Sequence, residues 1–309
     1  MQRVPNRVFG LINQVLAEIP ILQKIGIDLG GITTQFQVKE AEIPLQIAPF
    51  YQAFSYHGKP DFILNVTRSP FYGPDLHNPK FTSTSWSYYQ QDGRKIFKIQ
   101  IPDLDGSPHS YLLEFFAKKQ PPCLHVLLAE TPVIIPPFGA DALITAQLLS
   151  TGYGITLHAC GIKVGEHGML FSGVSGSGKS TTAGLWLKHG GSETTLLSDE
   201  RVTLREQAGQ YSIHGTPWHG KNYIPTNDSA PLERIMILRH GPDNILRLLQ
   251  PAEAVKLLLQ RAYLPYWDSE AMAFSLDLLH RLCQVIPCYD FGFTPDVRAV
   301  EAVWRQIDS

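Results

Sequence analysis

From Gly26 to Glu130 apolar and polar residues mostly alternate, the period of two expected of strands with one buried face. Thr33–Val38, Phe62–Val66, Ser83–Tyr89, Lys95–Ile101 and Ser110–Phe116 read as strands. Turn-forming clusters separate them: Gly58-Lys59-Pro60, Asp92-Gly93 and Asp105-Gly106-Ser107-Pro108. Asp92-Gly93 supplies two residues that tolerate positive φ, the requirement of a tight hairpin. The region is therefore expected to be an antiparallel sheet, with Trp86, Tyr88 and Tyr89 pairing across strands. Ahead of it, Val4, Val8, Phe9, Leu11, Ile12, Val15, Leu16 and Ile19 recur at helical spacing with polar residues between them. This predicts an amphipathic helix within Met1 to Lys24 that packs on its own domain.

The pattern changes after a Pro-rich stretch, Thr131–Pro137. Ala140–Leu149 reads as a helix stopped by Gly152. Ile155–Val164 and Met169–Ser172 read as strands joined by the turn Gly165-Glu166-His167-Gly168. A helix over Lys179–His189 follows, with Gly190-Gly191 as its stop. Thr194–Ser198 is a strand that ends at Asp199. Val202–Arg205 and Tyr211–His214 form a hairpin around Gly209, and helices follow over Ala252–Gln260 and Glu270–Val285. Two domains result: a β-rich one over residues 1–138 and an α/β one over residues 139–309.

A length of 309 residues permits two ordinary domains with sizeable cores. Apolar residues make up 44% and charged residues 17%, the balance of a soluble globular chain. The formal net charge is −2 and the basic residues form only short pairs such as Lys118-Lys119, so nucleic acid is not an expected partner. No apolar run is long enough to span a bilayer. The four cysteines, Cys123, Cys160, Cys283 and Cys288, form no CxxC pair, and buried free thiols in a reducing, cytoplasmic compartment are expected.

One segment carries explicit chemistry. Gly173-Val174-Ser175-Gly176-Ser177-Gly178-Lys179-Ser180 fits G-x-x-x-x-G-K-[ST] between an apolar strand and a helix. Glycines let the backbone curl so that successive N–H groups point inward at phosphate oxygens. The helix that starts there, with Thr181 in its first turn, offers unpaired N–H groups and a positive dipole end. Lys179 is placed to reach the β and γ oxygens, and the Ser180 hydroxyl to ligate Mg²⁺. The expected ligands are ATP or GTP with Mg²⁺.

Asp199 and Glu200 follow a short strand. In phosphoryl transfer one carboxylate positions the metal and another accepts the proton of the attacking hydroxyl. The strand before them is expected beside the strand before the loop, which would put the acids at the loop's mouth. If that strand stays regular, only one of the two faces the site. Arg201 is a partner for one of the acids or for phosphate. His158 lies on the strand ahead, and Gly215-Thr216-Pro217-Trp218-His219-Gly220 reads as a tight loop placed to close over a ligand. His214 and His219 lack zinc partners at suitable spacing.

These residues together resemble the HPr serine kinase/phosphorylase family and its kinase-like relatives, which share a nucleotide-binding core with phosphoenolpyruvate carboxykinases. The resemblance covers residues 155–220 best and 231–300 less well. It rests on His158, the loop Gly173–Ser180, the short spacing to Ser198-Asp199-Glu200-Arg201, the segment Gly215–Gly220 and the tail Ile286–Phe291. It implies an α/β, mixed α+β fold: a P-loop phosphoenolpyruvate carboxykinase-like kinase core preceded by the β-rich domain. It implies that Lys179 binds phosphate and that Ser180 and Asp199 hold Mg²⁺. Glu200 stands where the family has its catalytic aspartate, and His158 where it has an active-site histidine. Two departures stand out. Ser212 occupies the position of a further metal-binding glutamate, and the family's late Pro-Gly-Arg loop has no counterpart. Both weigh against phosphorolysis and against HPr itself as acceptor. The function implied is transfer of the γ-phosphoryl group to the hydroxyl of a peptide, a protein or a small serine-like molecule. The alternative is an ATP-binding sensor without catalysis. A carboxykinase-like enzyme finds no arginine clamp in the sequence. Oligomeric state, homo-oligomers included, is left open.

Overall fold

The computed structural model describes residues 24–38, 44–68, 76–102, 108–116, 122–126, 133–137, 139–220 and 223–307. The expected amphipathic helix lies outside them except for Lys24, which begins a strand; residues 105–107 and the Lys118-Lys119 pair also lie outside. The chain is mixed α/β, with large sheets and few helices. It forms two compact units, Met1–Asp28 with Thr33–Ile144, and Leu29–Ile32 with Thr145–Ser309.

The first unit contains β1 (Lys24–Asp28), β2 (Thr33–Val38), β3 (Leu45–Ile47), β4 (Phe62–Arg68), β5 (Phe81–Thr82), β6 (Trp86–Gln91), β7 (Arg94–Pro102), β8 (Pro108–Phe116), β9 (Cys123–Val126) and β10 (Val133–Ile135). Its large sheet has the order β1-β2-β4-β9-β8-β7-β6-β5. The Asp92-Gly93 turn joins β6 to β7 with φ of 52° and 71°, the left-handed pair that such hairpins need. The sheet is not wholly antiparallel as the alternation suggests: β2–β4 and β4–β9 run parallel. Alternation fixes which face is buried, here Phe36, Leu64, Val66, Leu113 and Leu124, but carries no information on the direction of a neighbour. The expected aromatic pairing is present, with the Phe97 ring 5.1 Å from Tyr88 and 5.9 Å from Trp86. The division between units falls within α1 (Asp141–Leu149), later than the expected boundary.

The second unit contains β11 (Gly154–Val164), β12 (His167–Ser172), α2 (Lys179–His189), β13 (Thr194–Ser198), β14 (Arg201–Gln207), β15 (Gln210–His214), β16 (Ser229–His240), β17 (Ile245–Leu248), α3 (Pro251–Leu259), α4 (Ser269–Val285), β18 (Cys288–Phe293) and α5 (Val297–Ile307). The first half of β11 pairs with β14, and its second half lies between β12 and β13. β12 also pairs in parallel with β16, which continues to β18. The tight β11–β12 hairpin thus inserts β11 between β12 and β13. This corrects the expectation that β13 lies directly beside β12. Both neighbours of β11 run antiparallel to it, so β13 and β12 still point the same way.

Successive residues of β12 and β16 serve opposite cores, as strand alternation requires. Leu170, Ile235 and Ile237 pack with Leu258 of α3 and Leu278 and Leu282 of α4. Met169, Phe171, Met236 and Leu238 pack with Trp186 of α2 and Val300 and Val303 of α5. Trp186 lies 5.8 Å from Phe171 and 5.5 Å from Trp304, centroid to centroid. Each buried side chain of this size contributes roughly 1.5–3 kcal/mol, and together they anchor the strand that leads into the Gly-rich loop. Asp268 caps α4, its carboxylate accepting from the N–H groups of Glu270 and Ala271. Cys160, Cys283 and Cys288 are buried thiols as expected, whereas Cys123 is half-buried. Among the described residues no helix is long and apolar enough to cross a membrane.

His214 gives this unit an acid limit. Burial and the charge of Arg205 push its pKa down to about 4 despite Asp228, and its ring leaves room only for a glycine at Gly31. The unfolded chain binds the proton below about pH 6.5 and the folded chain does not until about pH 4, so stability falls as pH falls through that window. The loss between pH 7 and pH 4 is about 3 kcal/mol from this group. Denaturant titrations across that range should show a shallower pH dependence in His214→Gln than in the parent; equal slopes would contradict this account.

Candidate functional site

The loop Gly173–Gly178 connects β12 to α2. Its backbone needs glycine where it turns: Gly176 has φ 78° and Gly178 φ 102°. A Cβ on Gly178 would lie 2.5 Å from the Phe293 ring, and one on Gly173 2.2 Å from Ser177 Oγ. Ser177 N donates to Val174 O at 3.1 Å, closing the turn. His240 Nε2 donates to Gly176 O at 2.9 Å and holds the far side. The cap residue of α2 is Gly178, which has no side chain to cap the helix N-terminus. The Ser177 and Thr182 hydroxyls are buried without a partner. The start of α2, the buried Ser177 hydroxyl and the loop glycines form a cradle suited to an anion.

Lys179 is 7% exposed, and its Nζ donates to Gly173 O at 3.0 Å and Val174 O at 3.2 Å. Burial lowers its pKa, Glu200 opposes that and Arg261 adds to it. The ammonium is therefore bonded to the loop's carbonyls, and among the described residues no carboxylate is bonded to it. Ser175 and Val174 are exposed at the loop tip, and Ser180 and Thr181 are exposed on the first turn of α2.

Asp199 and Glu200 occupy a bend between β13 and β14. The strand does not stay regular through them, which removes the expectation that only one can face the loop. Ser198 makes the bend: its Oγ accepts from the N–H groups of Glu200 and Arg201, each at 3.3 Å, and donates to Trp218 O at 2.8 Å. Asp199 is 2% exposed; its Oδ2 accepts from Ser180 Oγ at 3.1 Å and its Oδ1 from Gly220 N at 2.8 Å. Glu200 is more open and places Oε1 3.5 Å from His158 Nδ1. Burial and the charge of Lys179 hold His158 below the ordinary histidine range, with Glu200 opposing them.

The segment Gly215–Gly220 fastens this bend. Thr216 Oγ1 donates to Arg201 O at 2.6 Å, Trp218 O receives Ser198, and Gly220 reaches Asp199. A Cβ on Gly220 would lie 2.7 Å from Asp199 Oδ2, so only glycine permits that approach.

Ser180 Oγ and Asp199 Oδ2 form the hard oxygen pair that Mg²⁺ prefers. Ser212 Oγ is engaged with His214 Nε2 at 2.9 Å and adds no carboxylate. Among the described residues no three His, Cys, Asp or Glu side chains group as a metal site. Cys160 is wholly buried and its thiol is pushed far up by that burial, which leaves it inert.

No family model matches the chain, and no curated protein matches it. The chain bears a distant likeness to solved structures. The HPr(Ser) kinase/phosphatase from Coxiella burnetii is similar over 50% of this chain and 95% of that one, at 10% identity and a TM-score of 0.28.

Two residues escaped the sequence reading. Ala262 bridges Leu157 of β11, so the segment after α3 runs antiparallel along that strand and brings Arg261 and Tyr263 to the site. His158 N donates to Arg261 O at 2.7 Å, and Tyr263 N to Thr156 O at 2.9 Å. Arg201, expected to pair with one of the acids or with phosphate, forms no ion pair with an acid among the described residues; its guanidinium lies 5.2 Å from the Trp218 ring centroid and 4.6 Å from that of Tyr263. No local motif marks Arg261, because its role depends on which strand edge the chain follows after a helix.

Proposed function

We propose that the second unit binds ATP with Mg²⁺ on the loop Gly173–Ser180 and transfers the terminal phosphoryl group to a hydroxyl. The observation that carries this reading is the 3.1 Å contact from Ser180 Oγ to Asp199 Oδ2, which joins the anion cradle to a carboxylate. Backbone N–H groups of the loop and of the first turn of α2 bind the phosphates. Lys179 exchanges two loop carbonyls for phosphate oxygens and offsets the charge that develops on the transferred group. Ser180 and Asp199 hold Mg²⁺, which supplies positive charge to the phosphate oxygens.

Asp199 is buried and committed on both oxygens, so the base is Glu200. Its carboxylate takes the proton of the incoming hydroxyl as the new O–P bond forms and the bond to the leaving nucleoside diphosphate breaks. His158, kept neutral, holds the carboxylate from the side. Glutamate carries its charge one methylene further out than aspartate, and the bend at Ser198 accommodates that reach.

The second reading, nucleotide sensing without transfer, is favoured by Ser212, whose hydroxyl is spent on His214 and adds no carboxylate for a metal. Incubation with γ-labelled ATP, Mg²⁺ and serine-containing peptides or free serine separates the two. Label on an acceptor supports the kinase; tight nucleotide uptake with label on none supports the sensor.

A further inference from the structure

Resting on the kinase reading above, we infer that the acceptor is a hydroxy acid, whose carboxylate binds a row formed by Arg201, His158 and Arg261. The register makes the row. Arg201 of β14 stands opposite His158 of β11. On the other edge of β11, the antiparallel bridge Leu157–Ala262 sets Arg261 opposite the same histidine. Directly opposed residues share a face of the sheet, so Arg201 and Arg261 stand on either side of His158, which approaches Glu200.

Among the described residues no carboxylate pairs with Arg201 or Arg261, although most other arginines of this unit have such a partner. The Nε atoms of both are buried without a hydrogen-bond partner. A buried guanidinium donor left open is costly unless a ligand satisfies it. Arg201 is held between the rings of Trp218 and Tyr263, and Arg261 donates one N–H to Leu257 O, so both side chains are fixed before any ligand arrives. Stacking and a fixed fork favour the planar, bidentate geometry of a carboxylate.

The phosphates already have the cradle and Lys179. The row adjoins the base through His158, whose Nδ1 lies 3.5 Å from Glu200 Oε1. An acceptor seated there by its carboxylate would turn the hydroxyl on its β carbon toward Glu200 Oε1. That hydroxyl gives its proton to Glu200 as its oxygen takes the phosphoryl group. Free L-serine and a peptide that ends in serine share this chemistry; an internal serine does not.

The test uses the full chain loaded with MgADP for binding and with γ-labelled MgATP for transfer. The probes are L-serine, L-serine amide, a short peptide ending in serine, and the same peptide amidated. The acids are expected to bind, and to accept label, at least about tenfold better than their amides, the scale of one lost charge-assisted contact. Arg261→Gln should raise the KM for the acid about 10- to 100-fold while MgATP affinity stays within twofold, and Arg201→Lys should do the same more weakly. Preference for free serine over the peptide, or the reverse, identifies the source of the carboxylate. Equal transfer to acid and amide would overturn the proposal. So would a loss of MgATP affinity in Arg261→Gln that matches the loss for the acceptor, since the row would then serve the phosphoryl group. Binding of the acids with no label transferred would leave the anion site but overturn its acceptor role together with the kinase reading.

Discussion

Lys179→Ala is expected to lower phosphoryl transfer by about three orders of magnitude while leaving the protein folded. The size follows from removing a preorganised cation from the position where charge develops, in a site shielded from water. The stability half of the expectation comes from the surroundings of the ammonium. It is buried, its partners are two neutral carbonyls, and burial holds its pKa below the ordinary lysine value. A lysine whose folded pKa is depressed destabilises the folded state when charged, so at neutral pH its removal relieves a cost. The two lost hydrogen bonds are worth about 1 kcal/mol each and act in the opposite sense. Thermal unfolding should therefore shift little while activity disappears. A large drop in melting temperature would mean that Lys179 is a structural prop of the loop.

Glu200→Gln is expected to cut transfer by about 10²- to 10⁴-fold, the span associated with loss of a general base, with MgATP affinity nearly unchanged. Glutamine keeps the shape of the side chain and its approach to His158 but cannot accept the proton. Asp199→Asn is the informative contrast. Its carboxylate receives Ser180 and Gly220 and is almost wholly buried, so that variant should lose Mg²⁺-dependent nucleotide binding as well as transfer. If Asp199→Asn binds MgATP normally and loses only turnover, the two acids have exchanged roles.

Much of the second unit can be read from local pattern. α2 and β13 span the residues that the apolar spacing and the flanking glycines mark out, because Gly178 and Gly190-Gly191 bound the helix by backbone geometry alone. Sheet order could not be read this way. The strand before the acids lies next to β11, and only the pairing of the β11–β12 hairpin reveals that. In the first unit the alternation in β2, β4 and β9 identifies their buried faces, yet the same alternation serves parallel and antiparallel neighbours. At the site, the short segment from Gly173 to Arg201 is legible because loop, helix and bend are consecutive. Arg261 and Tyr263 are not, since they arrive through one bridge to Leu157 from far along the chain. Ser198 was legible as a strand end but not as the residue whose hydroxyl turns both acids toward the loop.

Helix α5 was also missed, although Val300 and Val303 lie one turn apart and both are buried against α2. The pattern is present, but a short terminal helix with charged residues on its outer face gives weak evidence until its packing partner, Trp186, is in view.

Calorimetric titration of MgATP into this chain, beside Lys179→Ala, decides whether the loop Gly173–Ser180 holds a nucleotide. Saturable, magnesium-dependent uptake is expected at one site per chain, lost or weakened at least about a hundredfold in the variant. Absence of magnesium-dependent uptake by folded protein, or equal uptake by the variant, would contradict it.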